Sequence, residues 1–178
     1  MLYDFKDGVG EWEPAGSNVE GVYATSSGSS IAAFSENYLF LETNATNAPS
    51  DYRAAQITTD GLDLSNNYLV GAAYTWGIAE PNNFTLKVKV WGPTDADTMS
   101  ATALIHADNW YFFRLNLSDW EYASSVTKLW IGIANSDTAS SLPTAWTGKC
   151  AFDEIALESK LEGGSTIIPA YKGTLSIT

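Results

Sequence analysis

The sequence predicts an all-β fold, a sandwich of two antiparallel sheets, from three observations. Helical periodicity is scarce. Short runs rich in β-branched and aromatic residues alternate in facing, residue by residue. Gly, Ser, Asn, Asp and Pro punctuate those runs at close intervals. The chain of 178 residues suits one domain and is long enough to bury a core without staples. Hydrophobic residues make up 45% and charged residues 17%, a balance that favours packing over disorder.

The candidate strands follow in order. Residues 2–5, 30–34, 38–42, 54–58 and 68–76 are the early ones. Residues 84–91 give the clearest alternation. Phe84, Leu86, Val88 and Val90 share one face, and Thr85, Lys87, Lys89 and Trp91 share the other. Gly92-Pro93 ends that run. Residues 102–107 follow. In residues 110–117, Tyr111, Phe113, Leu115 and Leu117 alternate with Trp110, Phe112, Arg114 and Asn116. In residues 128–134, Leu129, Ile131 and Ile133 face inward, and Lys128, Trp130 and Gly132 face outward. Residues 150–157 close the set. Residues 25–30, 44–50 and 136–147 read as polar loops, the last carrying Trp146. The sandwich therefore spans residues 1–158, and residues 159–178 read as a linker or the start of a following domain.

Charge and composition narrow the function classes. The net charge is −12, which repels phosphate backbones and anionic lipid surfaces, so neither nucleic acid nor membrane is an expected partner. Neutral polymers carry no such penalty, although a low pI can simply serve solubility. The single cysteine, Cys150, cannot form an internal disulfide and reads as a buried thiol in an apolar run. No apolar stretch is long enough to span a bilayer, and no signal peptide is visible. Strand-like sequence begins directly after Met1, as in a segment of a longer secreted chain. His106 is the lone histidine and reads as a surface strand residue. One Cys and one His cannot close a zinc site. No phosphate-binding glycine loop and no recognisable catalytic carboxylate motif is present.

Three segments carry a family resemblance. The opening Leu2-Tyr3-Asp4-Phe5-Lys6-Asp7-Gly8 with Glu11-Trp12 is one. The stretch W-Y-F-F-R-L-N-L-S-D-W at residues 110–120 is the second. The third is Leu129-Trp130-Ile131-Gly132-Ile133 followed by Phe152-Asp153-Glu154-Ile155. In this order they resemble jelly-roll carbohydrate-binding modules of the kind attached to bacterial glycoside hydrolases, and among these the modules of β-glucanases. The resemblance implies a β-jelly roll with a glycan groove on its concave sheet and often a structural calcium. It implies a secreted or cell-surface, monomeric, non-catalytic module linked covalently to a catalytic domain, with a polysaccharide or oligosaccharide as partner. Where these modules carry Glu after the opening Phe, this chain has Lys6, so no carboxylate ligand comes from that position.

Physical chemistry and the resemblance together nominate the site. Sugar rings present flat C–H faces that stack on aromatic planes, and their hydroxyls need polar partners. Aromatics are 13% of the chain, with seven Trp and nine Tyr. The outward residues Lys87, Lys89, Trp91, Phe112, Arg114 and Trp130 offer the required mixture. Loops covering that face would instead make Trp91 and Trp130 ordinary cover. Arg114 can bridge two hydroxyls or pair with a neighbouring carboxylate. Tyr52 and Arg53 line the groove by the resemblance, or form a turn pair. Trp76 ends a strand and can lie at the groove mouth. Trp146 can close over a ligand or anchor its loop. Trp12, Trp110 and Trp120 match framework positions.

Asp153 shares the parity of Ile155 and Leu157, which places it in the core, where a carboxylate needs a cation or several donors. The resemblance supplies calcium, with Asp4 and Asp7 as first-strand partners. Backbone N–H groups are the alternative. Two rivals stand beside the binding module. A structural or adhesive domain expects Trp91 and Trp130 to be buried or in an interface. A small lyase or hydrolase expects two carboxylates, or Arg114 and a Tyr, to converge.

Overall fold

A computed structural model describes residues 9–16, 19–26, 37–43, 52–76, 83–135, 149–160 and 176–177. The expected strands 2–5 and 30–34 lie outside them, as do Asp4, Asp7 and Trp146. The described residues form eleven strands and no helix. They are β1 (Glu13–Pro14), β2 (Val19–Ser26), β3 (Asn37–Thr43), β4 (Arg53–Leu62), β5 (Asn67–Thr75), β6 (Asn83–Trp91), β7 (Thr98–His106), β8 (Tyr111–Leu115), β9 (Val126–Asn135), β10 (Cys150–Ser159) and β11 (Ser176–Ile177).

Two antiparallel sheets result. One has the order β1-β4-β9-β6-β7-β11, and the other β2-β3-β10-β5-β8. Their inner faces meet in one core. From the six-stranded sheet come Ile57, Phe84, Leu86, Val88, Val90, Leu129, Ile131 and Ile133. From the five-stranded sheet come Leu39, Leu41, Leu69, Phe113, Leu115, Phe152 and Ile155. Val88 pairs with Ile131 and Val90 with Leu129, so the alternation seen in each segment is kept across the ladder. Each such side chain contributes about 1.5–3 kcal/mol by leaving water. A one-residue slip of β6 would turn four of them outward and bring in Lys87 and Lys89, so the register is fixed by burial.

The sequence did not indicate β2. It lacks alternation, and its pairing with β3 shifts register between Val19 and Gly21. Thr25 and Ser26, expected in a loop, end that strand. Within the stretch expected as a linker, Ser176 pairs with Thr102 and Ile177 with Ala101 on β7.

One parity expectation is overturned. The ladder between β10 and β5 shifts register between Asp153 and Ala156, and Glu154 has φ 52°. This bulge inserts an extra residue. Phe152 pairs with Ala73 and faces the core, whereas Asp153 pairs with Ala72. Ile155 returns to the core after the bulge. Asp153 therefore lies on the opposite face of the sheet from Ile155, not beside it. It is nevertheless fully buried. The buried state expected for Cys150 is found: it forms no disulfide and has no exposed surface.

Candidate functional site

The outer face of the six-stranded sheet is built on its three central strands. On β6 the outward residues are Thr85, Lys87, Lys89 and Trp91, all half-buried. The register sets Trp91 opposite Lys128, Lys89 opposite Trp130, and Lys87 opposite Gly132 on β9. On the other side of β9, Gln56 of β4 pairs with Trp130, and Ala54 with Gly132. Beyond β6, the outward positions of β7 are Thr98, Ser100, Thr102, Leu104 and His106. His106 is exposed there, as expected of a surface strand residue.

Gly132 and Ala54 explain how Trp130 lies. A Cβ at Gly132 would sit 2.7 Å from Cη2 of Trp130 and 2.8 Å from Cβ of Ala54. The indole therefore extends along the sheet over a floor of two small residues. Tyr52, just before β4, meets it edge to face, with centroids 5.4 Å apart at 64°. The Lys87 ammonium lies 5.8 Å from the Tyr52 ring centroid. Burial raises the Tyr52 phenol above its ordinary pKa, so it stays protonated and able to donate. Gln56 Nε2 donates to Glu13 Oε1 at 2.7 Å at the β1 margin.

At the other end, Trp91 is engaged by two cations. Lys89 Nζ is 4.3 Å and Lys128 Nζ 5.0 Å from its ring centroid. Lys128 also stands 3.8 Å from Asp95 in the turn after β6. Trp91 thus holds ammonium groups in place, while Tyr52 and Trp130 form the aromatic platform.

The remaining expectations divide. Phe112 and Arg114 do point away from the core, but β8 belongs to the five-stranded sheet, so they do not share a face with Lys87, Lys89, Trp91 and Trp130. Alternation shows which residues leave the core and carries no information on which sheet a strand joins. Arg114 is committed to Glu158 by a two-nitrogen contact from Nε and Nη2, and its guanidinium stacks on Tyr68 at 4.5 Å. The Arg–Tyr pair that a lyase reading expects therefore exists, but a carboxylate occupies it.

Trp76 also departs from expectation. It packs against Phe40 at 5.6 Å and Tyr74 at 4.9 Å on the five-stranded sheet, so it does not share a face with Trp130. Arg53 has no exposed surface and shares the inward parity of Ala55 and Ile57, so it does not line the outer face. A strand-initial Arg after a polar loop gave no signal of that burial. Trp12 and Trp120 pack on the core, and Trp110 packs against Tyr38 and Tyr74. Sequence reasoning missed Gln56, Ala54 and the role of Gly132. The outward parity of 54, 56 and 58 was available to find Gln56, but only the β4–β9 register brings it beside Trp130.

Asp153 accepts the backbone N–H of Glu154 at 2.7 Å on Oδ1. Among the described residues no group of three or more His, Cys, Asp and Glu side chains gathers as a metal cage. The burial of this carboxylate at a bulge suits a hard cation, since a bulge frees backbone carbonyls from the ladder. The expected partners Asp4 and Asp7 lie outside the described residues.

Comparison with known proteins places this architecture. No protein-family model and no curated protein matches the sequence. Solved structures do match, at low identity. A carbohydrate-binding module of the β-sandwich superfamily, described as promiscuous in specificity, superposes with a TM-score of 0.63 at 15% identity, over 89% of this chain and 61% of its own. A non-crystalline-cellulose-specific module, CBM28, gives 0.61 at 16% identity over 87% and 92%. The family 22 module of Clostridium thermocellum Xyn10B gives 0.54 at 14% identity over 89% and 93%. The chain has the β-sandwich fold of carbohydrate-binding modules.

Proposed function

We propose that this chain is a non-catalytic polysaccharide-binding module whose site is the outer face of the six-stranded sheet. The observation that carries the reading is the Tyr52–Trp130 pair, laid over Gly132 and Ala54 and flanked by Gln56, Lys87 and Lys89. It gives a pyranose ring an aromatic plane and gives its hydroxyls an amide, a phenol and two ammonium groups. The fold it shares with modules that bind xylan or cellulose supports the same reading. Trp91 and Trp130 are half-buried rather than enclosed, which favours binding over the adhesive-domain reading. Among the described residues, Glu13 at the margin of the face is held by Gln56 rather than facing a second carboxylate, which favours a module without chemistry of its own.

The ligand in this reading is a β-linked glycan chain, a β-glucan or a related plant or algal polymer. The module works outside the cell or at its surface as a monomer and holds an appended glycoside hydrolase on its substrate. Affinity from one platform and a few hydrogen bonds is modest, about micromolar to millimolar. Affinity gel electrophoresis against barley β-glucan, laminarin, xylan, mannan, pectin and alginate tests it. Retardation by at least one polymer, lost in Trp130→Ala, is expected. Retardation by none refutes the reading.

Calcium belongs to the same proposal, as a structural ion at Asp153 with Asp4 and Asp7. Chelation is then expected to lower Tm by several degrees, with recovery on adding Ca2+, and Asp153→Asn to abolish that response. A Tm indifferent to chelation removes the ion from the account.

A further inference from the structure

Among the described residues, the candidate face gathers three cations of this acidic chain. The chain has nine Lys and Arg against 21 Asp and Glu. Three of those nine cations, Lys87, Lys89 and Lys128, project from the same patch of two adjacent strands. Lys87 and Lys89 stand two residues apart on one face, about 7 Å along the strand. Lys89 and Lys128 share the ring of Trp91. Clustered like charges on neighbouring positions repel, so the patch costs stability unless something negative relieves it.

Ordinary reasons for these lysines do not apply. Lysines often guard open sheet edges, but β6 is paired on both sides, by β9 and β7. Lysines in an acidic protein usually neutralise nearby carboxylates. The ion pair on this face is Lys128–Asp95 among the described residues, and neither Lys87 nor Lys89 takes part in it. Asp95 is 3.8 Å from Lys128 with a side chain 93% exposed, a weak and displaceable partner. Beside the lysines the face carries the neutral Thr85, Gln56, Thr58, Thr98, Ser100 and Thr102, with Glu13 at its β1 margin held by Gln56 and His106 at the far end of β7.

Resting on the polysaccharide-binding reading above, we infer that the ligand is an anionic glycan, a pyranose polymer bearing carboxylate or sulfate groups. A sugar stacked on Trp130 holds its ring substituents at the edge of the aromatic plane. Lys89 is directly opposite Trp130 across the ladder, and Lys87 reaches the Tyr52 ring. The Lys87 ammonium thus lies by the platform, and that of Lys89 is held on the neighbouring Trp91 ring. Trp91 acts as a positioning residue that orients Lys89 and Lys128. The overall charge of −12 repels polyanions at long range, so recognition must come from this patch at short range. Specificity follows: the same field rejects polyanions that do not dock on the face.

The test is calorimetric titration of the full chain with matched pairs of polymers. Polygalacturonate and alginate are each compared with their carboxyl-reduced forms, and a sulfated galactan with its desulfated form. Preference for the charged member of at least one pair by tenfold or more is expected, and the pair identifies carboxylate or sulfate as the group read. Lys87→Gln and Lys89→Gln should each lower that preference by up to about fivefold, with Lys→Arg restoring most of it. Trp130→Ala should lower binding to both members alike. Neutral members bound as tightly as charged ones, with no loss in the lysine variants, overturn the inference and leave the glycan-binding reading standing. Charged-polymer binding that survives both lysine changes places recognition elsewhere and overturns it too. No binding to any polymer, charged or neutral, overturns both.

Discussion

The two outer faces of the sandwich carry similar residue types and do different things with them. On the six-stranded sheet, aromatic rings lie beside cations and small residues: Trp130 over Gly132 and Ala54, Tyr52 near Lys87, Trp91 between Lys89 and Lys128. On the five-stranded sheet, aromatic rings pack against one another: Tyr38, Tyr74, Trp76, Trp110 and Phe40 form a second apolar cluster, with Tyr38 and Tyr74 buried. Arg114 is neutralised by Glu158 there, and it shares the Tyr68 ring with Lys160. Tyr38 and Tyr74, enclosed among rings, contribute to stability. Trp130, laid over a glycine and an alanine beside lysines, keeps surface for a ligand. The neighbours, not the residue, decide the role.

Substitutions on the two faces should therefore separate stability from binding. The largest effect is expected for Tyr74→Ala. The residue is 7% exposed and its ring touches Trp76 and Trp110, so the loss is about 3 kcal/mol by chemical denaturation, with binding of the surviving folded protein unchanged. Trp130→Ala should do the reverse. Polysaccharide binding falls at least tenfold, or about 1.4 kcal/mol, with a smaller change in Tm.

Gly132→Ala sharpens the contrast. The new methyl would overlap Trp130 and Ala54, shifting the indole off its floor. A loss of about 1–2 kcal/mol in stability and a weakened platform are expected together, read by thermal melts and calorimetry. Arg114→Gln should barely register. Its ion pair with Glu158 is about a third exposed on both sides, so the cost is about 0.2–1 kcal/mol, with no effect on binding.

Alkaline pH offers a test that touches both faces. Burial pushes the Cys150 thiol far above its ordinary pKa, and desolvation also raises Tyr52, Tyr74 and Tyr111. Groups with raised folded values stay protonated in the native state while the unfolded chain ionises. Their contribution is present below the unfolded pKa and lost above it. Stability should hold to about pH 8 and then fall, first as unfolded Cys ionises and then as unfolded Tyr does. Denaturant melts between pH 7 and 11 check this, and Cys150→Ser should remove the first part of the fall. In the native protein Cys150 should resist thiol reagents until unfolding exposes it.

Much of the sandwich was legible because β6, β8 and β9 alternate cleanly between core and solvent, and period-two burial is a local property. Trp130, Lys87, Lys89 and Trp91 could be assigned to a solvent face on that basis alone. Sheet membership was not legible. Phe112 and Arg114 have the same outward parity as Trp130, and only the β5–β8 pairing shows that they belong to the other sheet. Asp153 failed for a different reason. A left-handed Glu154 and one extra residue reverse the parity that Ile155 and Leu157 suggested, and nothing in Phe-Asp-Glu-Ile announces a bulge. Arg53 failed because burial of a guanidinium depends on its surroundings in three dimensions. Gly132 could be assigned an outward position, but only the structure shows a ring lying over it.

The most direct test of the account is affinity gel electrophoresis of three proteins side by side: the wild type, Trp130→Ala and Trp110→Ala. Each runs in gels containing a polysaccharide that retards the wild type. The account expects retardation to vanish in Trp130→Ala and to persist in Trp110→Ala, whose ring packs on the five-stranded sheet. The opposite pattern, with Trp110→Ala mobile and Trp130→Ala still retarded, would contradict it and move the site to the other face.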